Sequence, residues 1–411
     1  MTIARDPVRL LTLTTLFPNS VRPRHGIFVA NRLGRLRASG RVDARVIAAV
    51  PSFPGCYRDE AQVPEAEALD GLAVRHPRYL NIPRVGMGLQ PRLLAMALLR
   101  DLERSGWKRE RFDVVDAHYF YPDGVAAAVV ADTLGLPLVI SARGSDINLI
   151  GAMRAPRQAM VASARRAQAT IAVSQALAQA MTAIGMPDER TSVLRNGVDA
   201  ELFQRAPREA SRQRLGLPLH VPLLLGVGNL VAEKGFDLLL RVASTLQEAH
   251  VLVVGEGAAR TSLEALARDH LPGRCHWRAS MAQSELRHAY SAADVLVLPS
   301  LREGWPNVLL ESIACGTPVC AADVGGVREI VREPAAGCVV TGRDEDTWRR
   351  ALAALLRERA DPVRVRACAL PFGWDEVVSA QCDLYERVRG QWAERHRSQA
   401  PAPRALSEAN P

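Results

Sequence analysis

Lysine is nearly absent. Of the 52 basic residues in this 411-residue chain only Lys108 and Lys234 are lysine, so a lysine inside a motif stands out against an arginine background. Aromatic residues make up 5%. That is too sparse for the stacked-base platforms of nucleic-acid binders, no recognised module of that kind is present, and nucleic acid is not an expected partner. The seven cysteines contain no Cys-x-x-Cys pair. This argues against a disulfide framework or a structural zinc site and points to a reducing cytoplasm. No apolar run reaches the ~18–20 residues that a membrane-spanning helix needs. The short apolar stretch Leu10–Leu16 leads into Pro18 with no small-residue cleavage site. It predicts a first core strand rather than a signal peptide.

The composition that is present describes a globular enzyme, with 48% hydrophobic residues and a mean hydropathy of −0.02. The length predicts two domains of about 150–200 residues each. Charge divides unevenly: residues 1–200 hold 26 Arg and Lys against 18 Asp and Glu, whereas residues 201–411 hold 26 of each. All of the +8 excess lies in the first half, which favours an anionic partner there. Strand-like runs near 8–16, 45–50, 72–76, 113–117, 137–142, 169–173 and 191–195 alternate with helix-length amphipathic segments. A second series follows near 222–228, 250–255, 274–277, 294–299, 317–321 and 337–340. This alternation predicts an α/β protein of two doubly wound Rossmann-like domains. The chain divides at residues 1–198, 199–371 and 372–396, the last a helix, and residues 397–411 read as a disordered tail.

Residues 302–312, Arg-Glu-Gly-Trp-Pro-Asn-Val-Leu-Leu-Glu-Ser, carry the most chemistry. A buried strand, 294–300, runs into them, and Pro306 suits a first helical position. Glu303 and Gly304 then lie on the turn and Glu311 inside the helix. The amides of Asn307, Val308 and Leu309 are expected to point back at the turn, where the helix dipole favours an anion. Two carboxylates for hydroxyl groups, with a phosphate cradle between them, suit a sugar nucleotide.

Glu303-x7-Glu311, followed by Cys315-Gly-Thr-Pro-Val319 and Gly325-Gly-Val-Arg-Glu-Ile330, resembles the signature of retaining family-4 glycosyltransferases of the GT-B fold. The resemblance implies two domains facing across a cleft and a C-terminal helix that crosses back to the first. It implies that Glu303 contacts the donor sugar, Glu311 the ribose, and the intervening amides the diphosphate. Gly226-Val-Gly-Asn-Leu-Val-Ala-Glu-Lys-Gly235 resembles the family's diphosphate-binding turn. Lys234 matches the family lysine there, while Asn229 stands where an arginine is common. Gly255 and Glu256 resemble the nucleotide-side loop.

Three loops of the first half complete the expected site, all at strand C-terminal ends where open α/β sheets bind ligands. One contains Gly26, whose lack of a side chain allows close backbone approach. One contains His118, a candidate acceptor partner or a solvated loop residue. The third contains Arg143 and Asp146. Many relatives carry a histidine where Arg143 stands, and Arg143 resembles a subgroup tied to cell-surface polysaccharide assembly, of the teichuronic-acid and exopolysaccharide type. Glu303, Lys234, Arg143 and His118 are the expected catalytic residues.

Two other segments have two readings each. Leu89–Lys108 combines an apolar stripe with basic residues, as a helix lying on an anionic membrane would, and as a core-packed helix with a charged outer face would. Asp344-Glu-Asp346 superficially matches a metal-binding Asp-x-Asp, but it precedes a helix-length run and is expected to cap it. No metal and no cofactor is expected. The expectation is a metal-independent retaining hexosyltransferase that uses a nucleotide diphosphate sugar, commonly a UDP-sugar, and a lipid-linked or surface glycan acceptor. It would work in the cytoplasm or at the inner membrane face. The alternatives are another sugar-nucleotide enzyme such as an epimerase, and a non-enzymatic protein that binds anionic surfaces.

Overall fold

Parallel strands with both faces covered are built from near-continuous apolar runs, and the segment Leu10–Leu13 is fully buried. The computed structural model describes residues 6–82 and 86–398. Its first ten strands are β1 (Val8–Thr14), β2 (Val42–Ala48), β3 (Val50–Ser52), β4 (Ala66–Leu69), β5 (Leu72–Arg75), β6 (Arg78–Leu80), β7 (Val114–His118), β8 (Leu138–Ser141), β9 (Ala169–Ala172) and β10 (Thr191–Val193). Eight of them form one sheet in the order β10-β9-β8-β7-β1-β2-β5-β4, and β3 pairs with β6. The remaining six are β11 (Leu223–Val227), β12 (His250–Val254), β13 (Cys275–Arg278), β14 (Val295–Leu298), β15 (Val319–Ala322) and β16 (Gly337–Val340). They form a parallel sheet in the order β13-β12-β11-β14-β15-β16.

The described residues form two compact units, one drawn from residues 6–141, 158–170 and 378–398, the other from residues 142–157 and 171–377. Each expected strand is present. The short β3, β4 and β6 were not expected, and β4 shows why: it alternates only between exposed and half-buried residues, so no apolar periodicity marks it. The expected disordered tail lies outside the described residues from 399 on, and Arg397 and Ser398 end the helix Trp374–Ser398.

In the second unit the strand order reverses at β11, which has β12 on one side and β14 on the other. Such a reversal opens a crevice at the strands' C-terminal ends. Leu224, Val251, Val253, Val295 and Val297 from the sheet pack with Leu238, Leu239, Val242 and Trp348 in its core. Asp344 caps the helix Glu345–Glu358, accepting the Thr347 amide at 2.8 Å. The opposite ends of β11 and β14 are tied by a buried cation. Arg212, fully buried, donates to the carbonyls of Ala292 at 2.9 Å, Leu219 at 2.7 Å and Val221 at 2.9 Å and to Asp294 Oδ2 at 3.0 Å. Asp294 also accepts the Leu223 amide at 2.8 Å.

In the first unit β1 sits at the reversal, and the loop after it is held to the loop after β7. Asp123 accepts the Thr15 amide at 2.7 Å and the Thr15 hydroxyl at 3.0 Å. The C-terminal helix joins this unit from residue 378 on. There Tyr385 donates to Asp116 at 3.0 Å and Gln381 accepts from Arg32 at 2.5 Å. The helix Gln90–Ser105 buries Leu94, Leu98 and Leu102, as core packing requires. Leu89 and Met96 stay exposed beside Arg92, Arg100 and Arg104.

Removing the buried Arg212 leaves the carbonyls of Ala292, Leu219 and Val221 without their donor and Asp294 with only Arg208, at 2.7 Å, as its cation; breaking one side of a buried ionic contact is costly. Arg212→Met is therefore expected to destabilise the second unit by about 3 kcal/mol. Urea denaturation monitored by tryptophan fluorescence would measure this, and an unchanged midpoint would refute it.

Candidate active site

The segment after β14 turns sharply before the helix Asn307–Ala314. Pro306 is the cap residue and not the first helical position, because its ψ of 92° is extended. The Leu309 amide already donates to the Pro306 carbonyl at 3.0 Å. That leaves the Asn307 and Val308 amides, rather than all three, for the expected anion cradle. Glycine is required in the turn by crowding: a Cβ on Gly304 would stand 2.3 Å from the Arg143 carbonyl oxygen. One on Gly325 would stand 2.0 Å from that of Glu303. The second glycine pair thus packs directly on the turn that carries Glu303.

Lys234 follows β11 on a one-turn helix, Ala232–Lys234. The Leu301 amide donates to the Glu233 carbonyl at 2.8 Å, which ties this loop to the one after β14. Lys234 Nζ then lies 2.7 Å from Glu303 Oε1, with Glu303 almost buried and Lys234 partly exposed. The pair spans the strand-order reversal. Asn229, Gly255 and Glu256 share the same strand ends. The Leu230 amide donates to the Glu256 carbonyl at 2.8 Å, and a Cβ on Gly255 would clash with the Gly228 carbonyl oxygen at 1.9 Å.

Glu311 is held from beneath. The buried Tyr290 hydroxyl donates to its Oε2 at 2.6 Å. Burial pushes the Glu311 carboxyl up to about 7, against the opposing pull of hydrogen bonds from Tyr290 and Gln283.

The sequence matches the model for Glycosyltransferase Family 4 over residues 26–202 and that for Glycosyl transferases group 1 over residues 207–369. It is 32% identical to TuaC of Bacillus subtilis strain 168, over 79% of this chain and 83% of that protein. TuaC is named, provisionally, as a glycosyltransferase of teichuronic acid biosynthesis. It is also 32% identical to D-inositol 3-phosphate glycosyltransferase 1 of Catenulispora acidiphila, over 92% of this chain and 96% of that one. The chain belongs to this glycosyltransferase family. Similar solved structures include sucrose-phosphate synthase of Thermosynechococcus elongatus, with a TM-score of 0.75 at 20% identity over 94% of this chain and 100% of that one. HepE of Anabaena, solved with UDP-glucose, has a TM-score of 0.68 at 20% identity over 95% and 99%. The fold is that of two Rossmann-like α/β domains, as in these GT-B structures.

The other expected residues of this glycosyltransferase occupy less open positions. His118 is not on a loop: it is the last residue of β7, is 1% exposed, and lies 2.9 Å from the buried Asp116. The solvated reading of His118 therefore falls. The close approach at Gly26 is to its own unit, since a Cβ there would meet the Leu16 carbonyl at 2.3 Å. Asp146, fully buried, accepts the amides of Gly144 at 2.8 Å and Arg143 at 3.1 Å. It shapes the loop that brings the Arg143 backbone against Gly304. Asn148 from the same loop donates to the Glu303 carbonyl at 3.4 Å.

Several contacts around the turn could not be read from the sequence. The Trp305 indole donates to the Asn196 carbonyl at 3.0 Å, and the Arg195 guanidinium lies 5.8 Å from its ring centroid. Arg195 also pairs with Glu329 at 2.9 Å, which accepts the Ala176 amide at 3.0 Å. Glu329 belongs to the quoted Gly325–Ile330 run, so its position was legible but not its partners. Tyr290 could not be picked out from sequence, because its contact with Glu311 exists only once two helices pack.

Removing the Tyr290 hydroxyl takes away a donor that favours the charged carboxylate. In Tyr290→Phe, side-chain carboxyl NMR should show Glu311 titrating higher than its native value of about 7. A fall toward the ordinary glutamate range would contradict this account.

Proposed function

We propose that the protein is a retaining glycosyltransferase that moves a sugar from a nucleotide diphosphate sugar, of the UDP-sugar type, to a lipid-linked or surface glycan. The Lys234–Glu303 contact at the strand reversal, beside the Asn307 and Val308 amides, is the observation that carries this reading. An ammonium group has three donors. Lys234 can keep Glu303 and still meet a phosphate oxygen. As the bond from the anomeric carbon to the diphosphate breaks, negative charge grows on the phosphate, where the ammonium and the helix-start amides are already arranged. The acceptor oxygen bonds to the anomeric carbon on the face that the diphosphate leaves, and its proton passes to the departing phosphate oxygen. This same-face course is the one the family resemblance favours. Glu303 grips sugar hydroxyls and Glu311 the ribose. Lys234 and the amides supply the positive charge, so the reaction runs without a metal. HepE, which shares the fold, was solved with UDP-glucose, in keeping with a uridine donor.

The Lys234→Ala variant is expected to lower the transfer rate by about 100-fold or more, the usual effect of losing one donor to developing charge. A panel of sugar nucleotides with glycan acceptors, followed by mass spectrometry and anomeric assignment, would measure it. Near-native turnover in a folded variant would overturn the donor-site assignment, and an inverted product would overturn retention.

The acceptor reading draws on the exposed face of the helix Gln90–Ser105. Leu89 is 52% and Met96 44% exposed there, and Arg92, Arg100 and Arg104 are exposed on the same face. Each basic residue near an anionic bilayer contributes about 1 kcal/mol, and the enzyme would work on the cytoplasmic face. Flotation should recover the protein with phosphatidylglycerol vesicles and not with phosphatidylcholine vesicles. Equal recovery, or none, would remove the membrane partner.

A further inference from the structure

A pocket of about 360 Å³ opens beside the turn, lined by Asn148, Leu177, Arg302, Glu303 and Gly325 among others. Its volume lies at the small end of ligand sites, which span about 300–1,000 Å³. That is room enough for a sugar ring. Two ionic side chains line it. The Glu303 carboxylate is already matched by Lys234 at 2.7 Å. Arg302 is exposed and makes no hydrogen bond, ion pair or ring contact among the described residues. With Glu303 held by Lys234 from outside the lining, Arg302 brings an unmatched positive charge to the pocket, on a planar fork whose donors match a carboxylate two at a time. A neutral hexose would leave that guanidinium to water, whereas a sugar acid would meet it.

We propose that the transferred sugar is a glycuronic acid and that Arg302 reads its carboxylate. This rests on the donor-site reading above and adds the substrate class to it. Arg302 is a specificity-determining residue and not part of the leaving-group machinery, because Lys234 and the helix-start amides occupy that role. Its neighbour Glu303 takes hydroxyl groups of the same ring. A carboxylate would not compete with Glu303, since it would face the guanidinium instead.

Titration calorimetry with UDP-glucuronate and with UDP-glucose tests this on the full-length protein. The native enzyme should bind UDP-glucuronate at least 10-fold more tightly, as a charge-assisted bidentate contact implies. In Arg302→Gln the ratio of the two affinities should collapse toward one, and Arg302→Lys should restore only part of it, because an ammonium cannot make the paired contact. If UDP-glucose binds and UDP-glucuronate binds equally or more weakly, the sugar-acid inference is overturned while the donor site stands. If the native preference persists in Arg302→Gln, Arg302 is not its source. If neither compound binds, the UDP-sugar reading itself fails along with the inference.

Discussion

The ion pair of Lys234 with Glu303 exists only because of the strand order of the second unit. Its two residues are 69 positions apart in the chain, on loops after β11 and β14, and they meet because those strands are hydrogen-bonded neighbours. The neighbourhood follows from the strand order, in which the chain winds one way through β12 and β13 and the other way from β14 on. At that reversal the two following helices lie on opposite faces, and the strand ends are left open to a ligand. An ammonium and a carboxylate are thereby placed side by side without either residue being near the other in sequence.

Close backbone packing fixes where that pair sits. The turn at Gly304 touches the Arg143 carbonyl, and Gly325 touches the Glu303 carbonyl, at separations that no side chain would fit. The turn is thus held by main chain, which has few rotamers to search, while Trp305 anchors it through the Asn196 carbonyl. The rigidity matters for chemistry. Donors aimed at a developing charge act best when they need not reorganise as the charge forms.

Each unit holds a buried polar network. Burial raises the Glu311 carboxyl, and hydrogen bonds from Tyr290 and Gln283 oppose that rise. In the first unit Asp116 is shared by His118, Thr12 and Tyr385, the last of these on the C-terminal helix. The latter network couples the end of β7 to a segment more than 260 residues later in sequence, Tyr385 lying 269 positions from Asp116. Buried polar groups of this kind are costly unless every member finds a partner, so they fix one arrangement of the helix on the sheet.

The alternation of apolar runs with amphipathic segments was enough to locate the main strands, because a parallel strand buried on both faces must be apolar along its length. The motif of Glu303, Glu311 and the helix start between them was legible for a similar reason, since local geometry joins a turn to the helix it begins. Lys234 was legible because lysine is so rare in this chain. Short edge strands such as β4 were not, for their residues alternate weakly and gain their shape from the neighbour they pair with. The burial of His118, the use of the Leu309 amide by Pro306, and the hold of Tyr290 on Glu311 were decided by tertiary packing alone. Sequence determines which groups exist and how neighbouring residues along the chain are spaced. Which of those groups meet, and which are sealed from water, depends on how distant segments close upon one another, because burial and hydrogen-bond partnership belong to the packed chain and not to any one stretch of it.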